Sequence, residues 1–183
     1  MKKITYLFVV LLLAINIANA LPVGFTFGVR GGAGNYLKDG DALKSESSSF
    51  ASVTAAVKVL SLRAELEGLG RFNSFKGSKG DKTLITTGFL NGYVNVFSVP
   101  LLADVEIGGG VGNSTLYNFR EDSANTFAWN AGAVVSFSLL IAKLDVGYRY
   151  VHSGEATYNG IGGNKKTIKL NSNDFYAGIR FGF

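Results

Sequence analysis

The sequence predicts an all-β protein: an eight-stranded antiparallel up-and-down transmembrane β-barrel with a polar lumen, four long outer loops and three short turns at the opposite end. Three observations carry that prediction. Eight segments alternate apolar and polar residues with period two. The connections between them alternate short and long. The polar faces mix charged side chains with glycine, as a narrow lumen requires.

Composition sets the frame. The chain has 183 residues, 47% hydrophobic and 17% charged, which excludes a charged, disordered tail protein. It carries 24 Gly against 2 Pro, roughly twice the ordinary glycine usage. With no Cys and one His, disulfide scaffolds, thiolate metal sites, Cys nucleophiles and multi-His clusters are excluded, and no cofactor is expected. Residues 1–20 join a basic start (Lys2, Lys3) to an apolar run from about Tyr6 to Ile15, with small residues at Ala18 and Ala20. This is the pattern of a secretory signal cleaved after Ala20. As a retained anchor helix the run would be too short to span a bilayer. The expected division is a signal peptide over 1–20 and a barrel over 21–183. Removing Lys2 and Lys3 from 18 basic residues leaves 16 against 13 acidic, a net charge of +3, too small to argue for nucleic acid as a partner.

The strands follow in order. In the first, Val23, Phe25, Phe27, Val29 and Ala33 oppose Gly24, Thr26, Gly28, Arg30, Gly32 and Gly34. No helix could hold Arg30 and the glycines on one side and every large apolar residue on the other. A second strand, about Phe50 to Val59, sets Ala51, Val53, Ala55 and Val57 against Ser52, Thr54 and Lys58. A third, about Ser61 to Phe72, sets Leu62, Ala64, Leu66 and Phe72 against Arg63, Glu65, Glu67 and Arg71. The fourth, about Thr83 to Phe97, alternates less cleanly, with Leu90, Val94 and Val96 opposite Asn91, Tyr93 and Asn95. In the fifth, about Leu102 to Gly112, Ala103, Val105, Ile107 and Val111 oppose Asp104, Glu106 and three glycines. The sixth (about Thr126 to Leu139) and seventh (about Ala142 to His152) place Trp129, Val135, Leu144 and Val146 opposite Asn130, Ser136, Lys143, Asp145 and Arg149. The last alternates strictly: Phe175, Ala177, Ile179, Phe181 and Phe183 against Asp174, Tyr176, Gly178, Arg180 and Gly182.

Short links fall near Leu60, Ser98–Leu101 and Leu140–Ile141, and long ones over Leu37–Ser49, Asn73–Lys82, Asn113–Asn125 and Ser153–Asn173. A soluble barrel would also alternate, with its charges outside. Here Arg30, Lys58, Arg63, Glu65, Glu67, Asp104, Glu106, Lys143, Asp145, Arg149 and Arg180 share their faces with Gly28, Gly108, Gly132, Gly147 and Gly178. Long charged side chains interleaved with glycine fit a narrow lumen, where opposite charges must pair because an unpaired buried charge is costly. A closed barrel also leaves no unpaired backbone in lipid. Phe25, Phe72, Phe97, Trp129, Tyr148 and Tyr150 stand near strand ends, as interfacial girdles do.

Gly24-Phe-Thr-Phe-Gly-Val-Arg-Gly-Gly, Asn91-Gly-Tyr-Val-Asn, Gly108-Gly-Gly-Val-Gly after a Pro-containing turn, Gly147-Tyr-Arg-Tyr-Val and the final Phe183 give the chain its likeness to a known group. It resembles the small eight-stranded outer-membrane proteins: the opacity-type adhesins, the OmpX/Ail group and the OmpA membrane domain. The resemblance spans the mature chain and implies the outer membrane of a Gram-negative bacterium, with the three short turns periplasmic. Phe175, Ile179, Phe181 and Phe183 look like the signal read by the barrel-assembly machinery. Unlike OmpA, the sequence continues into no peptidoglycan-binding domain after Phe183, so cell-wall anchoring is not implied.

The expected function is non-enzymatic: loops presented for surface contact or adhesion to a host or ligand, with a background contribution to membrane integrity. Expected partners are outer-membrane lipids and lipopolysaccharide, the assembly machinery and host surface molecules. Lys76, Lys79, Lys82, Tyr158, Lys165, Lys166 and Lys169 are the candidate loop contacts, since clustered lysines attract phosphates and sulfates. The alternatives are a narrow porin-like channel and a lipid A-modifying enzyme. Against the enzyme, His152 and Ser153 are adjacent and point apart on a strand, so neither can serve the other.

Overall fold

The computed structural model describes residues 23–36, 47–74, 82–117, 123–159 and 165–182. They form eight strands: β1 (Val23–Tyr36), β2 (Ser47–Val59), β3 (Leu62–Ser74), β4 (Lys82–Val99), β5 (Ala103–Tyr117), β6 (Ser123–Ser138), β7 (Ala142–Asn159) and β8 (Lys165–Gly182). Each pairs antiparallel with its neighbours in sequence, and β8 returns to β1 from Thr26↔Gly182 to Tyr36↔Ser172, closing the barrel. The signal segment, Lys76, Lys79 and Phe183 lie outside the described residues.

The faces follow the alternation. Phe27, Val53, Leu66, Leu90, Val111, Phe127 and Phe175 point outward, each more than half exposed. The charged residues between them, with Asn91 and Asn130, point in; all but Lys58, Asp104 and Lys143 at the periplasmic mouth are buried. Such an inverted surface is stable only where the outside is lipid.

Two features depart from the sequence expectation. The long connections are shorter than predicted, because Ser47–Ser49, Asn73–Ser74, Lys82, Asn113–Tyr117, Ser123–Asn125, Ser153–Asn159 and Lys165–Asn173 all lie in strands. Beyond the apolar belt both faces of a strand meet water, so the ladder continues without the period-two signal that reveals it. Lys82, Tyr158, Lys165, Lys166 and Lys169, expected in loops, therefore sit on strand backbone. The second feature explains the imperfect alternation of β4. A bulge between Asn95 and Phe97 shifts the register, so the consecutive Val96 and Phe97 are both exposed, at 53% and 61%.

Inward glycines make room for the large lumen side chains. A Cβ on Gly147 would overlap the Tyr176 ring, and one on Gly178 would lie 2.6 Å from Arg30 Cγ and from the Val29 carbonyl. Outward Gly88 and Gly92, in contrast, have nothing within 4 Å of that position. Gly178→Val is accordingly expected to destabilise the barrel by about 1–3 kcal/mol through overpacking. Gly88→Val should be neutral or stabilising, because glycine is a poor strand residue. Urea unfolding in vesicles, followed through the single Trp129, measures both.

Candidate functional site

The lumen is filled by one connected set of charges. Five arginines (Arg30, Arg63, Arg71, Arg149, Arg180) meet five carboxylates (Glu65, Glu67, Glu106, Asp145, Asp174), each at most 5% exposed. Arg30 on β1 reaches across β2, whose inward residues there are the small Ser52, Thr54 and Ala56, and grips Glu65 on β3. Its Nη1 and Nη2 donate to Oε1 and Oε2 at 2.7 Å each, a bidentate fork. Arg63 bonds the same Glu65 and also donates to Glu106 Oε2 from Nε at 2.9 Å and Nη2 at 2.6 Å. Its guanidinium lies 3.9 Å over the Tyr93 ring.

Towards the outer end, Arg149 Nη1 donates to Glu67 Oε2 at 2.6 Å and Arg71 Nη2 donates to Asp174 Oδ2 at 2.6 Å. Arg149 Nε also reaches Asp174, at 3.4 Å, which ties these two pairs together. Towards the periplasmic end, Arg180 Nη2 donates to Asp145 Oδ1 at 3.0 Å and to Ser136 Oγ at 2.8 Å. Contacts of 3.8–3.9 Å from Arg30 to Asp145 and Glu67, and from Arg180 to Glu106, join the clusters. Lys58 approaches Glu106 at 3.8 Å. Lys143 pairs with Asp104, which Ser98 also bonds, at the partly exposed periplasmic mouth.

Every lumen charge expected from the sequence thus faces inward and has an ionic partner. Arg71 and Asp174 join them unexpectedly. Both had shown themselves on polar faces, but only the β1–β8 closure brings residues 103 positions apart into contact. The lumen also holds apolar bulk: Tyr93 and Tyr176, which the alternation places on the polar faces, and Phe50, Leu69, Phe89 and Val134, which it did not reveal, are buried inside. Near the outer end, Thr87, Ser114 and Ser153 form a hydroxyl cluster at 2.8 and 3.4 Å. A cavity of about 10 Å³ between Leu69, Phe89 and Val151 adjoins it, with room for a single water at most. Eight strands enclose little beyond their own side chains.

On the outside, His152 stacks on Trp129 with ring centroids 5.6 Å apart, and Tyr150 lies 5.4 Å from the same indole. Ser153 points inward and is buried. His152 and Ser153 therefore occupy opposite sides of the wall and do not form a nucleophile–base pair. Phe175, Ile179 and Phe181 line the outward face of β8.

Removing one partner of the central fork leaves its mate charged and buried. Arg30→Met and Glu65→Leu are each expected to cost about 3–5 kcal/mol. The double variant should cost clearly less than the sum, because Arg63 keeps Glu106 and Glu67 keeps Arg149. A double-mutant cycle of urea unfolding in vesicles gives the coupling.

No family model matches the sequence, and no curated protein is similar to it at the sequence level. Solved structures are similar in fold. Neisserial surface protein A (NspA) superposes with a TM-score of 0.67 at 14% identity, over 87% of this chain and 97% of that one. Ail, the attachment invasion locus protein of Yersinia pestis, solved with the heparin analogue sucrose octasulfate, gives 0.56 at 11% identity over 88% and 99%. The N-terminal β-barrel domain of Pseudomonas aeruginosa OprF gives 0.53 at 10% identity over 86% and 97%. With its apolar wall, neutralised lumen and these likenesses, the chain has the fold of the small eight-stranded barrels of the bacterial outer membrane.

Proposed function

We propose that the protein is a non-enzymatic surface-contact barrel whose outer strand ends bind anionic glycans. The β7–β8 hairpin carries this reading. It stays paired through Glu155↔Lys169, Tyr158↔Lys166 and Asn159↔Lys165, well past Tyr148↔Phe175, where the outward apolar pairs end. The eight steps from Asn173 to Lys165 on β8 advance roughly 20 Å at the rise and tilt of barrel strands. Lys165, Lys166 and Lys169 are thereby carried above the membrane, with Lys82 opening β4 at the same end. A cluster of lysines held clear of the membrane favours phosphate or sulfate groups, weakly and with strong salt dependence. The chemical class is that of lipopolysaccharide phosphates and sulfated host glycans, and the Ail complex supports the latter by analogy of fold. The plugged lumen supports the same reading over a channel. The outward row of Phe175, Ile179 and Phe181 serves recognition by the assembly machinery.

The test displays the full chain on a non-adherent laboratory bacterium, beside Lys165→Gln/Lys166→Gln/Lys169→Gln and a variant with all four outer hairpins shortened. An unboiled-versus-boiled gel shift establishes folding of each. Binding to heparin-coated surfaces and host cells should fall by roughly an order of magnitude in the triple variant, since exposed charges contribute a few tenths of a kcal/mol or more each. It should also fall with added salt. Negligible binding by the parent, or equal binding by all three folded barrels, overturns the proposal. Conductance of the purified barrel in a planar bilayer would then favour a channel.

A further inference from the structure

The two ends of the barrel are finished differently. At the outer end the apolar columns of β1, β2, β5, β6 and β8 stop at a polar outward residue, respectively Asn35, Ser49, Asn113, Asn125 and Asn173. At the periplasmic end there is no such collar among the described residues. The outward faces run apolar into turns whose tips are themselves apolar: Leu60, Leu101–Leu102 and Leu139–Leu140–Ile141, with Ser61 the one polar exception beside Pro100. Leu101 is 96% exposed, Leu140 104% and Ile141 79%. Tips facing water are ordinarily polar, and contiguous exposed apolar surface marks a contact.

Backbone geometry sharpens the point. Leu60 and Leu101 adopt φ of 55° and 63°, the left-handed region that glycine or asparagine occupies with little strain. Leucine at both positions keeps an apolar side chain at the tip against the local backbone preference.

The apolar wall gives the occupant. Between the outer collar and the turns, the outward columns Ala51–Val59, Ala103–Val111 and Ala142–Tyr150 hold nine residues each, and Val23–Ala33 and Phe127–Phe137 eleven. With a rise of about 3.3 Å and a tilt of about 40°, each residue advances roughly 2.5 Å along the membrane normal. Nine residues then cover roughly 23 Å and eleven roughly 28 Å, close to the apolar band of about 25 Å. The columns run into the turns without a polar break, so the exposed leucines and Ile141 continue the lipid-facing surface.

We propose that the three periplasmic turns are submerged in the inner leaflet of the outer membrane, packed on acyl chains in continuity with the lipid-facing wall. The barrel is seated low, its outer hairpins stand high, and the charged mouth at Lys58, Lys143 and Asp104 opens at the level of the inner head groups. Lys58 and Lys143, partly exposed on the lumen side, have the length to reach those head groups.

The sequence contains no cysteine, so single-Cys variants label cleanly. Nitroxides at Leu101→Cys and Leu140→Cys are compared with the belt position Leu144→Cys and the collar position Asn125→Cys. The full chain is expressed in cells and studied in outer-membrane vesicles and again in phospholipid vesicles, with the gel shift establishing folding. Collision with oxygen, which concentrates in lipid, is measured against a water-soluble nickel chelate. The expected ratio at Leu101 and Leu140 matches that at Leu144 and is several-fold above that at Asn125, in both preparations. A ratio like that of Asn125 overturns the proposal in favour of tips in water. Tips shielded from both agents in cell membranes, yet open to the chelate in phospholipid vesicles, overturn it in favour of a periplasmic protein partner. Leu102→Cys and Ile141→Cys replace either variant that fails to fold.

Discussion

Everything in this protein depends on the seam between β1 and β8. A strand in lipid cannot leave its N–H and C=O groups unpaired. The eleven residue pairs from Thr26↔Gly182 to Tyr36↔Ser172 remove the two edges that a sheet would otherwise expose. Closure at eight strands fixes the radius, and the radius dictates what the lumen can hold. A cylinder this narrow has no room for a water column beside arginines and tyrosines. Inward positions therefore divide into large residues and the glycines that face them. Tyr176 lies over Gly147, and Arg30 over Gly178. Glycine content and arginine content are two sides of one steric requirement.

The same narrowness accounts for the charge balance. Five arginines and five carboxylates in a narrow lumen neutralise one another almost fully, and most arginines touch more than one carboxylate. Such a network is weak evidence for stability relative to an apolar filling. What it supplies is direction: an inward face that cannot be exchanged for the lipid-facing one. A one-residue slip in any strand would move Arg30, Glu65 or Arg149 into acyl chains, so the network specifies register where backbone pairing alone would not.

Much of this was legible in the sequence, because period-two alternation with glycine among charges admits few other structures. The faces of Arg30, Lys58, Arg63 and Arg180 followed from parity alone. What escaped did so for physical reasons. Parity assigns a residue to the lumen but not to a height within it, so the Arg71–Asp174 pair needed the closed register to be seen. The β4 bulge at Asn95/Phe97 breaks parity locally, and the alternation blurred there. Lys165–Asn173 read as loop because above the membrane neither face of a strand has to be apolar, and the pattern that betrays a strand in lipid disappears in water.

The charge network fills the lumen and leaves little free space inside it among the described residues. The two rims, in contrast, differ in chemistry. The outer rim is polar, with asparagine and serine collars and strand-borne lysines, and it can change in sequence without disturbing any lumen pair. The periplasmic rim is apolar and includes two leucines in a left-handed backbone conformation, which fits the proposed contact with acyl chains. One end thus suits contact with water and solutes, the other contact with lipid. A scaffold locked by its own electrostatics in the middle lets each end meet its surroundings independently.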